Sequence, residues 1–159
     1  MNIGDVMTRD VRLTSPQQSI HKAARTMADI GSGILPVREN DRLVGIITDR
    51  DIAIRAVAAG KGPDTAVRDV MTEDIRYCFE DDDIGDVAAS MAKLKVRRLP
   101  VLSRDKRLVG IVSIGDIAVA TGPEPAGAVV EAISRPSQQR SATGNQARRL
   151  EPPLSPRTR

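Results

Sequence analysis

Two short stretches carry the groups that could do chemistry: GIITDRD over residues 45–51 and GIVSIGD over residues 110–116. Each runs through a glycine, two β-branched residues and a hydroxyl, with an aspartate three positions further on. A hydroxyl that ends a strand just ahead of an acid marks the start of a helix. Free N–H groups and partial positive charge at such a start receive phosphate well. The aspartate offers two acceptor oxygens, enough for two neighbouring ribose hydroxyls. Thr48 with Asp51, and Ser113 with Asp116, are therefore candidates for holding a nucleotide-sized ligand. Arg50 could pair with a phosphate; the second copy has Gly115 at that place and offers Arg97 and Arg98 instead. The same residues also fit a purely structural role, the hydroxyl as an N-cap and the acid as a first-turn charge favoured by the helix dipole. Two registered copies favour a ligand, but duplication alone does not separate the two roles.

The elements that must position these groups are themselves repeated. DVMT at residues 5–8 returns at 69–72 and LPV at 35–37 returns at 99–101, both offset by 64; RLVGI at 42–46 returns at 107–111, offset by 65. The extra residue falls in a polar turn, RENDR becoming LSRDKR, as a structural repeat tolerates. Each copy begins with an extended stretch, residues 11–14 and 75–78. A helix follows, opened by Ser19 or Asp83 as N-cap. Its buried stripe is Ile20, Ala23, Met27 and Ile30, matched by Ile84, Val87, Met91 and Leu94. Gly31 suits a C-cap, and Lys95 suits it less well. Hairpins join 34–38 to 43–48 and 98–102 to 108–113. A second helix starts near residues 49–51 and runs to about Ala58; its counterpart starts near Asp116.

Neither half, at roughly 60 residues, buries enough apolar surface alone. Ile46, Ile47, Ile111 and Val112 lie in runs apolar on both faces, as covered strands would be. The expected fold is α/β (α+β): tandem β-α-β-β-α repeats packed sheet to sheet with pseudo-twofold symmetry and clefts where the halves meet. Residues 1–62 form the first unit and 63–121 the second. Residues 122–134 hold a short C-terminal helix, with TGPEPAG as a breaker and AVVEAIS as the helical part. Residues 135–159 are poor in apolar side chains and read as a disordered basic tail.

Composition narrows the function classes. Aromatics are 1% of the chain, Tyr77 and Phe79 alone, so base stacking on aromatic platforms is not expected. Residues 135–159 carry six arginines against one acid; of the net +3 they contribute +5, leaving −2 on residues 1–134. Such a tail is more often a solvated segment than a nucleic-acid reader. Cys78 is the only cysteine, which fits a reducing cytoplasm. No signal peptide or membrane span is apparent, so a cytoplasmic protein with no membrane partner is expected. His21 has no second histidine to share a metal with, and neither it nor Cys78 belongs to a nucleophile–base pair. The expectation is no metal site, no catalytic residues and no enzyme activity.

DVMT, LPV, RLVGIITDRDI and RLVGIVSIGDI, with helices between them, resemble a tandem pair of CBS domains, often called a Bateman module. The resemblance covers residues 3–120 and extends to the short stand-alone bacterial CBS-pair proteins. It implies a regulatory module that senses an adenine nucleotide (AMP, ADP or ATP) or an S-adenosyl compound. Thr48 and Asp51 would contact ribose in one cleft, Ser113 and Asp116 in the other. Ile34, Pro36, Ile46 and Pro100 would wall the adenine, and Arg50, Arg97 and Arg98 would meet phosphate. Where the family has a small hydroxyl residue on its first strand, this chain has Leu13 and Tyr77. A homodimer joined through helix faces into a flat disc, with a further protein as regulated partner, is also expected. The alternative is a ligand-independent dimeric scaffold or stress-response interaction protein of the same fold.

Overall fold

The structure is a computed structural model and describes residues 1–136. Apart from Arg135 and Pro136, the segment expected to be a disordered tail lies outside the described residues.

Helix α1 (Ile20–Ile30) opens at Ser19, whose hydroxyl accepts from the Lys22 N–H, and closes at Gly31 in the left-handed conformation. Strands β1 (Ile34–Glu39) and β2 (Arg42–Thr48) pair antiparallel across a tight turn. Asn40 and Asp41 both take positive φ there, 49° and 65°, which their short polar side chains tolerate. Helix α2 begins over Asp49–Asp51 and widens into a π-helix over Ile52–Val57, with the Ala58 N–H reaching back to the Ala53 carbonyl at 2.9 Å. The second half repeats the plan with β3 (Cys78–Phe79), α3 (Ile84–Leu94), β4 (Arg98–Leu102), β5 (Leu108–Ser113) and α4 (Ile114–Thr121). Strand β3 runs parallel to β4, and β4 antiparallel to β5. This is the α/β architecture of paired β-α-β-β-α repeats that the sequence implied.

Three elements differ from expectation. Residues 11–14 form no strand; only Thr14 bridges β1, at Val37. The reason is Pro16: its counterpart Glu80 donates an N–H to the Leu102 carbonyl at 3.0 Å, and proline has no N–H to give. In the second half the strand is Cys78–Phe79, starting later than residue 75. The TGPEPAG stretch breaks the chain only at Gly122 (φ 89°), which ends α4, and starts a new helix at once. Helix α5 (Pro123–Ser134) has proline in its first turn, where a missing N–H costs nothing. It packs on α3 and α4, burying Ala126 and Val129. The first half has no counterpart, and its equivalent face shows why: Ser32, Asp49 and Arg55 stand where the second half has Val96, Ile114 and Ala120.

Two hydrophobic clusters form, and each is completed by a segment from beyond its own repeat. Ile3 and Met7 join Met91, Leu99, Val101, Val112 and Ile117 in the second half. Val67 and Val70 join Ile20, Met27, Leu35, Val37 and Ile47 in the first. Ile3 is fully buried, worth about 1.5–3 kcal/mol for such a side chain. The helix tips Ile30 and Leu94, expected in the buried stripe, remain 36% and 38% exposed.

The crossing is reciprocal. Thr8 and Ile111 exchange two backbone hydrogen bonds, each of 2.9 Å; Thr72 and Ile46 exchange the equivalent pair at 2.8 and 2.9 Å. The DVMT segment thereby lies hard against the glycine of the opposite strand. A Cβ on Gly110 would sit 2.8 Å from the Thr8 carbonyl oxygen and 2.6 Å from Met7 Sδ. On Gly45 it would meet the Thr72 carbonyl at 3.1 Å and Met71 Sδ at 2.7 Å. Both glycines are therefore packing requirements between the halves. Gly110→Ala should cost about 2 kcal/mol of stability by overpacking, and Gly45→Ala less, because the rigid backbone atom stands further away. Urea denaturation of the two variants measures this; equal, near-zero costs would contradict the close approach.

Candidate functional site

Beyond its crossing hydrogen bonds, each segment runs on into a cleft at the junction of the halves. After Thr8 come Asp10, Val11 and Arg12, which line a cleft of about 420 Å³. After Thr72 come Asp74, Ile75 and Arg76, which line one of about 880 Å³. Both volumes fall in the range of small-molecule sites. The opposite half supplies the strand residue and hydroxyl of each: Ile111 and Ser113 in the smaller cleft, Ile46 and Thr48 in the larger. Ile34 and Arg98, first residues of the two hairpins, border both.

The sequence candidates divide accordingly. The larger cleft brings together Ile34, Ile46, Thr48, Arg50, Arg97, Arg98 and Pro100. In the smaller one Ile34, Arg98, Ser113 and Asp116 meet. Two candidates border neither. Pro36 is buried within β1, where its carbonyl accepts from the Thr14 N–H. Asp51 is turned into its own helix, its side chain only 12% exposed. The Asp-h-Arg triplets that wall both clefts were missed. Their signal was present, since the DVMT repeat continues as TRDVR and TEDIR at the same offset. Tyr77 stands apart from both clefts. It lines a groove beside the hairpin turns, and Lys106 Nζ donates to its hydroxyl at 2.6 Å.

Local hydrogen bonding explains the Asp51 orientation. The Thr48 hydroxyl accepts from the Asp51 N–H at 3.0 Å, and Asp51 Oδ2 accepts from the Thr48 N–H at 3.0 Å, a closed capping box. Ser113 and Asp116 make the same box at 3.2 and 2.7 Å, and the Ser113 hydroxyl is also 2.7 Å from Asp116 Oδ2. The structural role weighed from sequence is thus realised in both copies, and in the second the same pair still faces a cleft. Arg55, 3.8 Å from Asp51 Oδ1, donates to the Met71 carbonyl at 3.1 Å and so ties α2 to the crossing segment.

Elsewhere the chemistry is quiet. Burial, aided by the negative charge of Asp82, pushes the Cys78 thiol up to about 12. The Arg104 guanidinium, hydrogen-bonded to Asp81, holds that carboxyl below its usual range. Among the described residues no three His, Cys, Asp or Glu side chains group as metal ligands, and no helix is long and apolar enough to cross a membrane.

Two tests follow from this geometry. Replacing Asp116 or Asp51 by alanine should each remove about 1 kcal/mol of stability through the lost reciprocal bond of the capping box, read as a lower urea midpoint. Cys78 should resist iodoacetamide at pH 8 in the folded chain and react once unfolded. Because its pKa is raised in the folded state, stability should decline as pH climbs from the unfolded thiol value of about 8.5 toward 12.

Comparison with known proteins agrees with this architecture. The CBS domain model matches twice, over residues 3–57 and 67–121. CBS domain-containing protein YhcV of Bacillus subtilis is 38% identical over 134 residues, spanning 84% of this chain and 95% of the relative. A solved structure of hypoxic response protein I with two coordinated zinc ions is 35% identical, with a TM-score of 0.68, covering 75% of this chain and 98% of that one. The CBS domain pair of protein MJ0100, solved with 5-methylthioadenosine and S-adenosyl-L-methionine, is 29% identical with a TM-score of 0.68; the match covers 78% of this chain and 98% of that one. CBS domains are non-catalytic, and the MJ0100 pair holds adenosyl ligands. With both repeats matched at the crossing segments, strands and helix starts described above, the chain belongs to the CBS-domain family as a tandem pair.

Proposed function

We propose that this chain is a non-catalytic regulatory module that binds an adenine nucleotide or S-adenosyl ligand in one or both of its junction clefts. One observation carries the reading: each cleft is walled by both halves, a crossing Asp-h-Arg segment facing a strand end and hydroxyl from the opposite repeat. A ligand filling such a cleft touches both halves and so favours one arrangement of them over another. Only that difference in affinity can transmit a signal to a protein partner. Ile34 and Ile46 supply apolar walls for a purine, Thr48 and Ser113 supply hydroxyls, and the arginines supply phosphate contacts. The complex of the MJ0100 pair with two adenosyl compounds supports the ligand class.

A second reading, a dimeric scaffold without ligand, draws on a different observation. Both aspartates of the repeated motif are committed to capping boxes, while the second helix of each half exposes apolar side chains at equivalent positions. Ile54 is 53% exposed and Val119 is 91% exposed. These are the helix faces through which a homodimer would form.

Titration calorimetry of the full chain with AMP, ATP and S-adenosylmethionine separates the readings: heat saturating below millimolar concentration is expected, and none from any of the three would leave only the scaffold. For the dimer, the double substitution Ile54→Glu with Val119→Glu should halve the mass measured by sedimentation. An unchanged mass would place the contact elsewhere.

A further inference from the structure

The two clefts share a backbone plan but not a charge. In the larger, five cations (Arg50, Arg76, Lys95, Arg97 and Arg98) face two acids, Asp49 and Asp74. In the smaller, two arginines balance two acids: Arg12 and Arg98 against Asp10 and Asp116. The Asp-h-Arg triplet is common to both, so the difference comes from three other positions. Arg50, Lys95 and Arg97 correspond in the repeat to Gly115, Gly31 and Gly33. The fold accepts glycine at every one of them, which separates these cations from any general requirement of the architecture.

Lys95 sharpens the point. It takes the left-handed conformation, φ 56°, at the helix end where Gly31 sits at φ 63°. A side chain is disfavoured in that backbone geometry and glycine is not. Strain kept at a cleft edge points to use. One Lys95 proton goes to the Arg135 carbonyl at 3.1 Å, a contact that leaves its charge uncompensated. Among the described residues, Arg50, Lys95, Arg97 and Arg98 form no ion pair, whereas Arg76 pairs with Asp74 at 3.1 Å. Uncompensated like charges crowded around one cavity repel each other until an anion joins them.

We infer that the clefts take ligands of different charge: the larger, a nucleotide carrying two or more phosphates; the smaller, an adenosyl compound without phosphate. This rests on the ligand-binding reading above and assigns a class to each site. The purine would lie against Ile34 and Ile46 in the larger cleft, and its phosphates would extend toward Arg50 and Arg97. The smaller cleft offers an acid and a hydroxyl in Asp116 and Ser113 and no surplus cation, which suits a thioether nucleoside.

Calorimetry of the full chain with ATP, AMP and 5′-methylthioadenosine, at low and high salt, tests this. ATP should bind about tenfold more tightly than AMP at low salt, and the advantage should shrink as salt screens the cations. Saturating methylthioadenosine should leave one ATP site open. The variant Arg50→Gln with Arg97→Gln should lower the ATP to methylthioadenosine affinity ratio about tenfold. Conversely, Gly115→Arg installs a cation at the equivalent edge of the smaller cleft. The nearest atom to a Cβ there, Ser113 Oγ, is at an ordinary 3.5 Å, so the variant should fold and gain ATP affinity at a second site. If all three ligands bind but compete for the same sites, or if ATP affinity ignores salt and both variants, the charge assignment is wrong while the module remains a sensor. If none binds, the sensor reading and this assignment fall together.

Discussion

Four backbone hydrogen bonds, two between Thr8 and Ile111 and two between Ile46 and Thr72, hold the arrangement on which everything else rests. They bring a DVMT segment to the strand of the opposite half. The close approach leaves no room for a side chain at Gly110, and little at Gly45, without a shift of the crossing segment. Once the segment is anchored there, Ile3 and Met7 fall into the second core, and Val67 and Val70 into the first. Neither half completes its interior without this exchange, which answers the shortage of apolar surface in a unit of about 60 residues. The same anchoring directs the next residues, Asp10 to Arg12 and Asp74 to Arg76, along the junction, so the clefts are a consequence of how the halves are joined.

On this shared frame the two halves have been specialised by substitutions that leave the backbone plan intact. Pro16 ends the parallel pairing that Glu80 extends. Asp49 and Arg55 make polar the face that Ile114 and Ala120 make apolar, so a covering helix is needed on one half only. Arg55 uses its freedom from such a cover to grip the Met71 carbonyl. Arg50, Lys95 and Arg97 load one cleft with charge at positions where the other repeat has glycine. Arg50, Lys95 and Arg97 sit at exposed positions, where exchanging side chains leaves core packing undisturbed.

Much of the fold was legible in the chain. Periodicity located α1 and α3, the caps at Ser19, Asp83 and Gly31 are local in origin, and the second hairpin fell at residues 98–102 and 108–113 as expected. The candidate site was legible in part. Thr48, Ser113, Arg50, Arg97 and Arg98 border clefts because strand ends and hairpin starts are set by local sequence. Asp51 escaped because a carboxylate one turn into a helix can reach either the ligand side or its own N-cap, and spacing is identical for both. Pro123 was misjudged for a similar reason: proline both interrupts and initiates helices, and only the surface presented by α3 and α4 made initiation worthwhile.

By itself, then, the sequence determined the duplicated plan, the order of elements and the residue types at each strand–helix junction, since these follow from periodicity, capping and turn chemistry within a few neighbouring residues. Only the tertiary structure decided which half completes which core, why a side chain at the motif glycines is costly, and how the two clefts divide the charged side chains. Those outcomes depend on contacts between residues distant in the chain, 103 positions apart for Thr8 and Ile111 and 26 for Ile46 and Thr72, and no local pattern encodes the distance at which a crossing segment meets its partner.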